Sequence, residues 1–329
     1  MPSIHIPSSW RLPERLATDE ATFWNRREAL RALGFTTLAM TLPSGVACAA
    51  AAPPEGLTDP ALGKRFADKF PAQRNALYTL GERPLTPETD SARFNNFYEF
   101  TTAKDQVWKL ARGYKVDPWK VEIGGLVKQA KTLDLDEMFK RFPLEERLYR
   151  FRCVEAWAMQ VPWTGFPLKA LIDWAEPLSS ATHVRFQCVS DKKGLPGQRD
   201  QDWYPWPYFE GLRLDEARHE LALVVVGSYG HALPMQHGAP LRLALPWKYG
   251  YKGPKSIVKI EFVKSAPRTF WNELAPNEYG FYSNVNPARP HPRWSQASER
   301  DIGTGERRPT LPYNGYAEQV AALYKGDEV

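Results

Sequence analysis

Cysteine is scarce in this chain: Cys48, Cys153 and Cys188 are the only three among 329 residues. That excludes a heavily bridged disulfide scaffold and any zinc site built from four cysteines. Histidine is equally thin, with six residues at positions 5, 183, 219, 231, 237 and 291, none at the spacing of a helical metal pair. There is no His-Glu-x-x-His, no Cys-x-x-Cys, no glycine-rich phosphate loop and no dinucleotide fingerprint after a strand. The Gly-x-Ser-x-Gly elbow of serine hydrolases is missing too. Charge of one sign is nearly absent as a surplus. The 43 Lys and Arg against 38 Asp and Glu leave +5, spread along the chain, and nucleic acid is not an expected partner. No repeat at solenoid or propeller period is visible.

What is present supports a folded enzyme. A hydrophobic content of 43% with 25% charged residues is enough to build a core. The 22 glycines and 29 prolines exceed ordinary usage and point to a loop-rich globular fold. With 12 Trp, 14 Tyr and 16 Phe, either broad aromatic packing or a site walled by flat rings is expected.

The first 50 residues read as an address. Arg26-Arg27 precede a stretch, 32–52, without a single charge, whose apolar part from Leu33 to Leu42 is diluted by Gly34, Thr36, Thr37 and Thr41. Small residues follow, Ala47 to Ala52. A basic start, a weak apolar middle and an alanine-rich end form a cleaved signal, and paired arginines indicate the twin-arginine route for folded proteins. A membrane anchor needs about 20 strongly apolar residues, which this stretch lacks. Export after folding implies a cofactor inserted in the cytoplasm and a final location in the periplasm. Residues 51–93 read as an extended surface segment, and 94–329 as one large functional domain.

Within that domain the patterns predict strands over 119–123, 145–154, 182–189, 221–226, 241–245 and 256–263, and helices over 134–142 and 168–175. Strands and short helices mix without strict alternation, so the expected class is α+β with a mixed sheet. From Ser265 onward proline, asparagine and tryptophan dominate, a tail expected to wrap or complete the site.

The densest chemistry surrounds Cys153. On a strand, Arg150 and Arg152 share one face while Phe151 and Cys153 share the other. Arginine neighbours would favour a thiolate, which is both nucleophile and metal ligand. Two plainer readings stand beside this: a buried cysteine acting as a small apolar residue, and a Cys153–Cys188 disulfide.

The wording Arg152-Cys-Val-Glu-Ala-Trp157, with Asn95-Asn-Phe-Tyr-Glu-Phe100 and Pro246-Trp-Lys-Tyr-Gly250, resembles the catalytic subunits of bacterial periplasmic protein-methionine-sulfoxide reductases. These are molybdopterin oxidoreductases of the sulfite-oxidase fold. The likeness extends through the twin-arginine leader, Gly211-Leu-Arg-Leu-Asp-Glu216, Asn284-Val-Asn-Pro287, His291-Pro-Arg-Trp-Ser-Gln296 and Asn314-Gly-Tyr316.

The resemblance implies a single large domain of the sulfite-oxidase-type molybdopterin-binding fold, with Cys153 as the molybdenum ligand and catalytic residue. It assigns molybdopterin to Asn95, Tyr98, Glu99, Arg242 and the turn Gly253-Pro254-Lys255. Cys188 and His237 fall on two further cofactor positions, where the best-known members carry threonine and asparagine. The implied partners are a membrane haem subunit fed by quinol, as electron donor, and oxidised periplasmic proteins, as substrates. Two other functions remain in view: sulfite oxidation on the same fold, and a metal-free exported binding or chaperone module. Sulfite oxidases usually follow the ligand cysteine with residues like Gly-Asn-Arg-Arg, whereas Val154-Glu-Ala-Trp157 follows here.

Overall fold

The computed structural model describes residues 58–324. The expected signal, 1–50, lies outside the described residues. In the described part of the segment expected to be extended, the chain forms short helices at Pro60–Arg65 and Glu88–Arg93. It also sinks Leu62, Phe66 and Leu80 into the interior, because apolar side chains spaced along even an irregular segment are stabilised by burial.

Twelve strands occur among the described residues: β1 Lys120–Gly125, β2 Lys131–Asp134, β3 Glu145–Arg152, β4 Trp157–Pro167, β5 His183–Cys188, β6 Phe209–Arg213, β7 Leu223–Ser228, β8 His231–Ala232, β9 Arg242–Ala244, β10 Ile257–Val263, β11 Ser298–Asp301 and β12 Arg307–Pro309. A five-stranded sheet runs β2-β1-β10-β5-β6, and a seven-stranded sheet runs β12-β11-β4-β7-β8, with β3 on β4 and β9 on β7. The β1–β10 and β4–β11 pairs are parallel and the rest antiparallel, so the mixed-sheet α+β class read from the sequence is borne out.

The helix Leu135–Arg141 begins at Asp134, whose carboxylate accepts from the Glu137 N–H at 2.9 Å. The helix Leu168–Ala175 follows Pro167 and buries Leu168, Leu171, Ile172 and Ala175, one stripe at helical spacing. Among the described residues no helix is long and apolar enough to cross a membrane.

The strand expected over 145–154 ends two residues early. Cys153 N–H donates to Trp157 O at 2.9 Å and Ala156 N–H to Cys153 O at 3.1 Å, closing a tight turn into β4. Ala156 holds φ at 63°, an uncommon conformation for a residue with a Cβ. The turn sets Cys153 at the junction of two strands rather than within one.

Candidate active site

Five separated segments wall a cleft with Cys153 on its surface, one of them contributing Tyr208 just before β6. The end of β3, the turn and the start of β4 supply Phe151, Cys153, Val154, Glu155, Trp157 and Met159. The loop after the Glu88–Arg93 helix supplies Asn95, Asn96, Tyr98 and Glu99, the stretch leading into and out of β9 supplies Gln236, His237, Arg242 and Lys255, and the tail supplies Trp271 and Tyr279. The tail thus completes the site, as the sequence suggested.

Both described cysteines are free and buried, which removes the disulfide alternative. Cys153 Sγ receives hydrogen bonds from Asn96 Nδ2 at 3.3 Å and from the Glu155 backbone N–H at 3.4 Å. Burial, helped by the nearby Glu155 carboxylate, pushes the thiol up to about 12. Arg152 and Lys104 do favour the thiolate, as the sequence suggested, but burial outweighs them. Arg152 turns away from the sulfur, donating to Cys153 O and pairing with Glu299 at 3.1 Å, both side chains fully buried. With the positive charge spent there, desolvation dominates, and deprotonation calls for a cation closer to the sulfur.

Glu155 is held by three donors: Asn96 Nδ2 at 2.9 Å, Trp157 Nε1 at 3.2 Å and Lys104 Nζ at 3.1 Å. Burial alone would raise this carboxyl, but those donors outweigh it and keep it below its ordinary value.

The cationic end of the cleft is built differently. Arg242 is 6% exposed and Lys255 9%, so both are buried instead of being solvated at the surface. Neither has a carboxylate within ion-pair distance among the described residues. Arg242 donates only to main-chain carbonyls, His237 O at 3.0 Å and Leu243 O at 3.2 Å, and burial lowers it to about 10. A Cβ on Gly253 would stand 2.6 Å from Leu243 O and 3.1 Å from Arg242 Nη2, so glycine is what lets the turn close over the guanidinium. Gly238, at φ 101°, likewise leaves room for the Lys255 stem. Pro254 accepts from Leu243 N–H at 3.1 Å and holds the turn without bordering the cleft.

The remaining expected positions divide. His237 Nε2 donates to Ser91 O at 3.1 Å, which fixes the tautomer and leaves Nδ1 a buried acceptor without a partner. Burial lowers this imidazole to about 4, so it is neutral. Asn95 borders the cleft, but its amide donates to Ala92 O at 2.8 Å and braces its own loop. Tyr98 packs edge-on to Trp271 with ring centroids 5.4 Å apart. Burial raises the Glu99 carboxyl, with Lys255 only partly offsetting it. Cys188 lies at the end of β5 among Tyr208, Phe209 and Phe270, behind the cleft surface. The basic loop 246–254 keeps its lysines inside the protein: Lys252 pairs with Glu210 at 2.7 Å, and Lys248 donates to Asn284 Oδ1 at 2.9 Å.

Sequence reasoning did not single out Asn96 or Gln236. Asn96 was visible as the second half of an Asn-Asn pair, while nothing in the sequence marked Gln236.

This donor set suits a large anionic ligand that carries its own metal. Neither buried cation has a carboxylate in direct contact, His237 Nδ1 and both polar atoms of Gln236 lack partners among the described residues, and a soft sulfur borders the same cleft. Among the described residues no three His, Cys, Asp or Glu side chains could hold an ion alone, so a metal at Cys153 needs further ligands from a cofactor.

Residues 109–271 match the family described as "Oxidoreductase molybdopterin binding domain". A solved structure, the sulfane dehydrogenase from Paracoccus pantotrophus, is similar at 15% identity with a TM-score of 0.41, covering 68% of this chain and 57% of that one. This chain therefore spans a little over half the length of that relative. The mixed-sheet α+β architecture and the matched domain agree on the sulfite-oxidase-type molybdopterin-binding fold. Over residues 109–271 the chain is thus similar to an oxidoreductase molybdopterin binding domain.

Proposed function

We propose that this chain is an exported molybdoenzyme that reduces methionine sulfoxide in proteins to methionine. The sulfoxide takes up two electrons and two protons; its S–O bond breaks, and a thioether and water result. The bound cofactor supplies one chemistry, the exchange of an oxygen atom at molybdenum in a two-electron step. The protein does the rest. Cys153 would hold the metal through sulfur, with the Asn96 amide and the Glu155 N–H orienting it. Arg242, as a fork, and Lys255, as a point charge, would take the phosphate, beside Asn95, Tyr98, Glu99 and His237.

The observation that carries the substrate choice is the make-up of the wall near Cys153. Tyr98, Trp271 and Tyr279 border the cleft beside the Glu155 carboxylate, and the nearby Lys104 is committed to Glu155. Aromatic rings favour a neutral sulfur-bearing side chain. A small dianion such as sulfite would meet a carboxylate with no spare cation beside it.

Electrons would come from quinol through a membrane haem subunit, and the enzyme would work in the periplasm after twin-arginine export. The leader pattern and the family resemblance support both. Purified protein should reduce methionine sulfoxide in oxidised casein or as the free amino acid, and should contain molybdenum near one per chain. Turnover of sulfite alone would overturn the substrate assignment, and protein free of molybdenum from a host that makes molybdopterin would favour a binding module.

A further inference from the structure

Gln236 is 1% exposed, and neither its side-chain oxygen nor its nitrogen has a hydrogen-bond partner among the described residues. Its side chain borders the cleft next to His237 and Arg242. A buried carboxamide unpaired on both atoms is destabilising, and folded proteins rarely keep one without something that completes it. Its own turn does not complete it. In the short 3-10 segment Met235–His237 the hydrogen bonds are main-chain ones, from His237 N–H to Pro234 O and from Gly238 N–H to Met235 O, each 3.0 Å.

We propose that Gln236 binds the pterin of the cofactor through its side-chain amide. The ligand class follows from complementarity. A planar carboxamide offers a donor and an acceptor side by side, and the pyrimidinone edge of a pterin carries a carbonyl, a ring N–H and an amino group. A phosphate offers only acceptors and is better served by Arg242 and Lys255. His237 Nδ1, an acceptor without a partner on the neighbouring residue, widens the same polar front. The proposal rests on the molybdopterin reading and adds to it a residue that no motif or family match singles out.

Gln160 provides an internal control. It is fully buried and unpaired on both side-chain atoms, like Gln236, but it does not border the cleft. Full-length wild type, Gln236→Met, Gln236→Asn and Gln160→Met are made in a host that supplies molybdopterin and in one that does not. Molybdenum and pterin per chain, the rate of cofactor loss after dilution, and the melting temperature of the cofactor-free form are then measured. Gln236→Met should release cofactor about tenfold faster than wild type, while its cofactor-free form melts about 2–4 °C higher. Gln236→Asn, which keeps the amide but draws it back, should release cofactor faster than wild type and more slowly than the methionine variant. Gln160→Met should keep the wild-type loss rate. Wild-type retention in Gln236→Met, or a lower melting temperature for its cofactor-free form, overturns the proposal. Absence of molybdopterin from wild type itself overturns the cofactor reading along with it.

Discussion

Asn96 stands between a thiol and a carboxylate: its Nδ2 lies 3.3 Å from Cys153 Sγ and 2.9 Å from Glu155 Oε2. One NH2 group thus uses its two hydrogens on the proposed metal ligand and on the nearest negative charge. The amide holds the sulfur's direction alongside the thiol's own contact to Glu155 Oε2 at 3.8 Å. Replacing Asn96 with alanine should therefore lower molybdenum affinity or turnover about 10–100-fold, the usual loss when a group that orients a metal ligand is removed. Metal content and the sulfur-to-metal absorption band of the variant check this; an unchanged band would show that Asn96 does not orient the sulfur.

Cys153 itself is a sharper case. Cys153→Ser keeps the size of the side chain but replaces a soft donor with a hard one. Activity should be abolished and the metal lost or bound loosely, while the cofactor-free melting temperature stays within a few degrees of wild type. Turnover retained in the serine variant would remove Cys153 from the ligand role.

Arg242 tests the phosphate end. Arg242→Lys preserves charge but loses the two-pronged donor, so cofactor should be released faster yet still be detectable. Arg242→Met should carry little cofactor, and its cofactor-free form should be at least as stable as wild type, because a buried cation without a counter-charge is removed. Equilibrium unfolding of the cofactor-free variants measures the second effect.

His237 makes stability depend on pH. Burial lowers its imidazole from 6.5 to about 4 in the folded chain. Between those values the unfolded chain binds a proton that the folded one does not, so stability falls as pH drops through that window and is level above it. The contribution lost from pH 6.5 to pH 4 is about 3 kcal/mol. Urea unfolding of cofactor-free wild type and His237→Asn across this range should show the steeper decline only in wild type.

The buried pair behind the cleft should be the most costly to break. Arg152 and Glu299 are both fully buried, and Arg152 also donates to Gln296 Oε1 at 2.9 Å and Thr310 Oγ1 at 3.1 Å. Arg152→Ala leaves Glu299 with Arg83 at 3.1 Å and Arg308 at 3.4 Å but strands the Gln296 and Thr310 acceptors, and should destabilise by about 2–3 kcal/mol. Arg152→Lys, which keeps a positive charge beside Glu299, should lose less in the same unfolding assay.

Much of this architecture was readable because its signals are local. Asp134 caps its helix with its own carboxylate, and Leu168–Ala175 shows its stripe after a proline. β4, the longest strand, left no such trace. It is buried on both faces, so polar and apolar residues do not alternate, and it contains Pro162 and Gly165. Gly165 is needed because a Cβ there would stand 1.9 Å from Val224 O, a contact set by a strand some sixty residues away. The site divides in the same way. Cys153, Arg242 and Lys255 belong to motifs, whereas the protonated thiol, the inward turn of Arg152 and the unpaired amide of Gln236 arise from burial by distant segments.

The parallel pairing of β1 with β10 sets Glu122 opposite Lys259, and the cleft walls are drawn from segments comparably far apart. A high contact order follows: long loops must close before any wall meets another, so folding of the empty chain is expected to be slow. A ligand that touches every wall braces them together and draws the chain toward the folded state by mass action. Loading would then add its binding free energy to a chain that already folds without it, so the loaded form should unfold at a higher temperature than the empty one.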